Sequence, residues 1–152
     1  MNKIYWLTGQ PGAGKTTLGK LLVEKVENAI QLDGDELRSI TQNNDYSEKG
    51  RRENIKLAQM TALNWYCNGK NVIVSLVSPY KDQRDDFKKI CRLIEIYVFT
   101  TEDRGRTKFQ VLNYQPPTEQ YVNIDTTNKT PQESFNELLK KIEEIDDFQR
   151  CC

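Results

Sequence analysis

The sequence predicts a three-layer α/β fold, with a mostly parallel five-stranded sheet lying between helices. Short apolar runs alternate with longer amphipathic ones along the 152 residues. The runs that read as strands are apolar on both faces, which suits a parallel sheet covered on each side. One apolar strand also runs straight into a glycine-rich turn and then a helical pattern, the order of a strand–loop–helix unit.

Taken in order, Ile4-Tyr5-Trp6-Leu7-Thr8 reads as a buried strand closed by Gly9. Leu18, Leu21, Leu22 and Val26 then recur at helical spacing. Ala29 to Leu32 is a short second strand, stopped by Asp33-Gly34-Asp35, with a helix beginning near Glu36. Ser47 is the expected N-cap of a helix through about Cys67, with Ile55, Ala58, Ala62 and Trp65 or Tyr66 inward and Asn68-Gly69 as its stop. Asn71 to Val77 is the clearest strand. A charged helix over about 81–91 follows, with Phe87, Ile90 and Cys91 expected inward, and then a β-branched and aromatic run from Leu93 to Phe99. Thr130-Pro131-Gln132-Glu133 is a capping box that opens the last helix. Between these, Thr100 to Gln120 is polar, lacks clear periodicity and carries Pro116-Pro117. So long a stretch in a compact domain reads as a functional loop or lid. The expectation is one domain over 1–148, with its lid at about 100–120 and a mobile tail at 149–152.

Lys plus Arg and Asp plus Glu are 22 each, so no basic excess points to nucleic acid or an anionic membrane. The chain has no histidine, which removes Ser-His-Asp and Cys-His nucleophiles and His-ligated zinc. Cys67, Cys91, Cys151 and Cys152 fit no metal or redox spacing, and the first two are expected to pack as small hydrophobes. Met1-Asn2-Lys3 leads into an apolar run too short for a signal peptide or a membrane span, so a cytoplasmic setting is expected.

Gly9-Gln10-Pro11-Gly12-Ala13-Gly14-Lys15-Thr16 matches G-x-x-x-x-G-K-[ST], the P-loop, in the strand-then-helix context the motif requires. Gly9, Gly12 and Gly14 let backbone N–H groups converge on phosphate oxygens, and the following helix adds its positive end. Lys15 is assigned to the β- and γ-phosphates and Thr16 to Mg²⁺, with Ala13 and Thr17 completing the ATP-binding set. In an open parallel sheet ligands sit beyond the carboxyl ends of the strands. Asp33 and Asp35 are therefore candidates for metal support and for orienting or deprotonating an acceptor hydroxyl, although an Asx turn capping the next helix would use the same residues. Arg51 and Arg52 lie in the first turns of a helix, against its dipole, which hints at an anionic partner; ion pairs with Glu48 or Glu53 are the alternative.

These residues, with further stretches, resemble the adenylylsulfate kinases, P-loop kinases that phosphorylate the 3′-hydroxyl of adenosine 5′-phosphosulfate with MgATP. The resemblance rests on Leu7 through Thr17, on Leu32-Asp33-Gly34-Asp35 with Arg38, on Tyr46-Ser47 with Arg51, Glu53, Asn54 and Ile55, and on Val74 through Tyr80, with Ile124-Asp125-Thr126 near the end. It implies a P-loop nucleoside-triphosphate hydrolase fold, ATP as co-substrate, Mg²⁺ and a homodimer. By position it implies that Lys15, Asp35 and Asp33 are catalytic, and that Thr16 and Asp33 serve the metal. Asp35, Arg38, Arg51, Asn54, Val77, Ser78 and Pro79 would bind a small nucleotide acceptor. Arg104 would approach the adenine, and Arg106 and Lys108 would close on the phosphates. The chain departs from the family in three ways, one of them being Tyr46 in place of the family's Phe. Its lid lacks the usual R-D-P-K-G-L-Y to K-N-F-T-G stretch and is about a dozen residues shorter, leaving Phe109 or Tyr114 to replace the Phe that stacks on the acceptor base. Gly50 stands where the family has an acid. Two other readings stay open: a kinase for another small nucleotide, such as cytidine diphosphoramidate, and a nucleotide-binding regulatory module without transfer activity.

Overall fold

A computed structural model describes residues 1–151; Cys152 lies outside the described residues. Five strands form one sheet: β1 (Ile4–Thr8), β2 (Ala29–Asp33), β3 (Asn71–Ser75), β4 (Leu93–Phe99) and β5 (Tyr121–Asp125). Their order is β2-β3-β1-β4-β5, and every neighbouring pair is parallel. The five helices are α1 (Lys15–Lys25), α2 (Gly34–Thr41), α3 (Glu48–Cys67), α4 (Lys81–Lys88) and α5 (Pro131–Cys151), with a 3₁₀ turn at Thr107–Phe109 inside the lid.

Strand side chains alternate between two apolar cores. Tyr5, Leu7, Ile73, Ile96 and Ile124 meet Leu18 and Leu22 of α1 and Phe135, Leu138 and Ile142 of α5. Ile4, Trp6, Val72 and Val74 meet Leu37, Ile55, Ala58, Ala62 and Phe87 from α2, α3 and α4. Both faces of β1 are thus buried, which is why its five residues read as an unbroken apolar run.

The helix ends follow the capping signals. The Ser47 hydroxyl accepts from the Gly50 amide at 3.3 Å, and the Thr130 hydroxyl accepts from the Glu133 amide at 3.2 Å. Gly69, at φ 85°, follows the α3 stop. Three local expectations fail. Ile90 lies beyond the end of α4 and is 62% exposed. Cys67 is exposed, because it is the last residue of α3 and falls off the stripe that faces the sheet; Cys91 is half-buried. The last helix continues through Cys151, so residues 149–151 are helical rather than a loose tail.

Chain order reverses direction at β1, which has β3 on one side and β4 on the other. Such a switch point leaves a crevice beyond the carboxyl ends of the strands. The loops after β1, β2 and β3 all open into it.

Candidate functional site

The loop from Gly9 to Gly14 is shaped by three glycines with positive φ, at 152°, 83° and 114°. Gly9 allows no alternative: a Cβ there would lie 2.0 Å from the Val98 carbonyl oxygen of β4. Gly14 caps α1 in the left-handed conformation, and no side chain among the described residues caps that helix. Its first amides therefore remain free to donate to an anion, and no acid in the first turn competes for them.

Lys15 is buried at the head of α1, and its Nζ donates to the Gln10 carbonyl at 2.8 Å. Burial holds its ammonium down at about 8; Asp33 and Asp35 oppose that shift, and Arg106 reinforces it. Asp33 does two things. Its Oδ1 accepts from the Asp35 amide at 3.0 Å, capping α2, and its Oδ2 accepts from the Thr16 hydroxyl at 2.9 Å. The Asx turn and the functional reading thus coexist in one carboxylate. Thr16 and Asp33 offer adjacent hard oxygens, a donor set that suits Mg²⁺, which takes few protein ligands and keeps its remaining positions for water and phosphate.

These groups line a cleft of about 600 Å³. Lys15 and Thr16 at the start of α1, with Asp33 and Asp35 at the end of β2 and the start of α2, are among its lining residues. Arg38, Tyr46, Arg51, Asn54, Val77, Ser78 and Pro79 line the same cleft, with Arg106, Lys108 and Phe109 from the lid. Arg38 is held by the Asn43 and Asp45 carbonyls at 3.0 and 3.1 Å and lies 4.2 Å from the Tyr46 ring centroid. That loop packs against α3 only because residue 50 is glycine, since a Cβ there would meet Asp45 at 2.3 Å. Arg51 donates through Nε to the Tyr46 carbonyl at 2.8 Å and lines the cleft. Arg52 turns away, paired with Glu48 and Asp82 and stacked on Tyr80. The two neighbouring arginines therefore divide between the binding reading and the surface ion-pair reading.

Asn54 Oδ1 and Ser78 Oγ are buried without a hydrogen-bond partner among the described residues, and both residues line the cleft. Buried polar atoms of this kind ordinarily find partners. Ser78 also holds a positive φ of 48°. Its carbonyl accepts from Thr8 at 3.2 Å and from Arg84 at 2.6 Å. Arg84 is itself buried against Glu95 at 2.8 Å, and Lys88 shares that carboxylate.

Several residues sit off the cleft. Gly9, Ala13, Gly14 and Thr17 do not line it. Arg104 is tied to the Gly12 and Ala13 carbonyls at 3.3 and 3.2 Å and to Thr126, beside a second cavity of about 220 Å³ under the phosphate loop. Tyr114 is not at the acceptor wall. Its hydroxyl shares a 2.8 Å hydrogen bond with Thr8, its ring stacks on Tyr97 at 5.8 Å, and burial pushes its phenol well above the usual range. Phe109, half exposed at the cleft mouth, is the aromatic available for stacking. Sequence reasoning missed Gln10, Thr8 and Arg84 as groups that shape the site, because Gln10 fills an unspecified position of the P-loop pattern and the partners of all three are set by the fold.

The family model described as adenylylsulphate kinase matches residues 1–115. A probable adenylyl-sulfate kinase of Pyrococcus abyssi is 32% identical over 165 aligned positions, covering 92% of this chain and 94% of that protein. The cytidine diphosphoramidate kinase of Campylobacter jejuni is 38% identical over 100 positions, covering 62% of this chain and 59% of that one. In three dimensions the fold is similar to the Mycobacterium tuberculosis APS kinase solved with AMPPNP and APS, at a TM-score of 0.76 and 22% identity over 93% of this chain and 98% of the other.

Proposed function

The chain belongs to the adenylylsulfate kinase family, and from that premise we propose that it transfers the γ-phosphoryl group of ATP to the ribose 3′-hydroxyl of adenosine 5′-phosphosulfate. The products are 3′-phosphoadenosine 5′-phosphosulfate and ADP. One observation carries the reading: Lys15 and the Thr16–Asp33 pair line the same cleft as Arg38, Arg51 and Asn54.

In this reading the open amides of α1 and Lys15 hold the ATP phosphates, and Arg104 borders the adenine end. Thr16 and Asp33 would hold Mg²⁺, which supplies charge neutralisation on the phosphate oxygens when bound. Asp35, in the first turn of α2, takes the acceptor hydroxyl, orienting it and receiving its proton. Arg38 and Arg51 grip the acceptor's anionic end. The unpartnered atoms of Asn54 and Ser78 gain partners from the same molecule. Val77 and Pro79 supply its apolar wall, and Phe109 stacks on its base. Phosphoryl transfer needs positioning and charge stabilisation more than covalent help, so these groups suffice without a protein nucleophile.

A second acceptor has a specific observation behind it, the 38% identity to a cytidine diphosphoramidate kinase over 100 residues. The test measures ADP formation from MgATP with no acceptor, with adenosine 5′-phosphosulfate and with cytidine diphosphate derivatives. We expect adenosine 5′-phosphosulfate to give the largest kcat/KM. A larger value with the cytidine compounds would move the acceptor assignment, and ATP binding with no acceptor-dependent ADP would favour a regulatory module. The same reading takes 1–148 as one kinase domain in the cytoplasm and the active form as a homodimer, which light scattering would test. Among the described residues, no helix is long and apolar enough to cross a membrane.

A further inference from the structure

The second position of the phosphate loop carries a side chain that the mechanism above does not use. Gln10 Nε2 donates to the Val111 carbonyl at 2.8 Å, and its Oε1 accepts from the Val111 amide at 2.9 Å. A carboxamide presents donor and acceptor side by side, so it can pair with both main-chain groups of one residue, as a neighbouring strand would. The main-chain carbonyl of the same glutamine takes the Lys15 ammonium.

The lid's other anchors lie toward its two ends. Arg104 fastens its first end to the phosphate loop. At its far end Tyr114 is fastened to Thr8, and the Gln115 amide to the Pro79 carbonyl. Between them, among the described residues, 105–113 bonds within the lid to Asp103 and Tyr114, and the Gln10–Val111 pair is its only hydrogen-bonded link to a residue outside the lid. Leu112, next in line, is 99% exposed, so packing does not hold the tip either. The segment just before Val111 carries the lid groups that face the cleft: Arg106 and Lys108, each about 5 Å from the Phe109 ring centroid.

We propose that Gln10 is a positioning residue. Its paired hydrogen bonds to Val111 fix the height and tilt of the cationic lid turn, so that Arg106, Lys108 and Phe109 are set over the cleft before the acceptor arrives. The proposal rests on the two-substrate kinase reading of that cleft.

The test uses Gln10→Met, which keeps length and bulk but deletes both hydrogen bonds, and Val111→Pro, which removes the lid's donor and leaves the phosphate loop untouched. Hydrogen exchange is followed at 106–110 with no ligand present, beside MgATP affinity and steady-state transfer. With Gln10→Met, exchange at 106–110 should quicken about tenfold, each lost bond contributing a few-fold. The acceptor KM should rise about tenfold while MgATP affinity changes less than twofold, and ATP hydrolysis without transfer should increase. Val111→Pro should move the same readouts in the same direction by about half as much on a logarithmic scale. Unchanged exchange at 106–110 in Gln10→Met would overturn the proposal. So would a loss of MgATP affinity with no change in acceptor KM, because Gln10 would then serve the phosphate loop alone. If the wild-type protein shows no acceptor-dependent ADP, the acceptor assignment is what fails, and the exchange and MgATP arms still decide the role of Gln10.

Discussion

The phosphate cradle and the lid face each other across one cleft but are held in different ways. The cradle is nearly contiguous, running from Gly9 to Thr16, and it borrows one carboxylate from the end of β2, which β3 separates from β1 in the sheet. Its shape comes from backbone that only glycine can follow and from an uncapped helix end. The lid is held by side chains reaching main chain far along the sequence: Gln10 to Val111 across 101 positions, and Arg84 to Gln115 across 31. Such a cradle serves one chemistry, whereas a lid fastened at a few points can change which molecule it covers without disturbing the transfer step.

The largest effect should come from the cradle. Lys15→Ala removes the buried ammonium and should lower kcat/KM for transfer at least about 1000-fold, as loss of a principal charge stabiliser does; coupled ADP assays would show it. Asp35→Asn should lower kcat about 100-fold with MgATP affinity nearly unchanged, since an amide cannot take the hydroxyl proton; a normal rate would remove Asp35 from the mechanism. On the lid side, Phe109→Leu should raise the acceptor KM about tenfold with little change in kcat, in line with one base–aromatic stack. An equal loss in both parameters would place Phe109 in the transition state and blur the contrast between the two regions.

The smallest effect is a pH dependence. With the Lys15 ammonium held at about 8 in the free protein, half the molecules carry the charge at that pH and about a tenth do one unit higher. MgATP affinity should therefore fall about fivefold from pH 8 to pH 9, with proton uptake on binding visible by calorimetry in buffers of different ionisation heat. For stability the sign is opposite to that of a favourable ion pair. A lysine depressed when folded makes folding costlier while it stays charged, and that cost is relieved as pH rises from about 8 toward its ordinary 10.5.

What the sequence revealed divides along the same line. The parallel sheet was legible because Ile4 to Thr8 and Val72 to Val74 are buried on both faces and leave no alternation to mislead. The cradle was legible because its geometry is dictated within eight residues. Arg51 and Arg52 could not be told apart, since both sit in the first turns of α3 and only the distant Asp82 and Tyr80 draw one of them away. The place of Tyr114 was invisible for the same reason: its partners, Thr8 and Tyr97, are set by the fold rather than by local pattern.

Gly50 also bears on any attempt to place an acid at that position of this chain. Residues 45 and 50 occupy the same space, so restoring an acid at 50 alone would push Asp45 outward and release the brace under Arg38 and Tyr46. The two positions are therefore exchanged as a pair, together with the loop between them, and under the proposed acceptor assignment a graft that ignores this would disturb the cleft wall assigned to the acceptor.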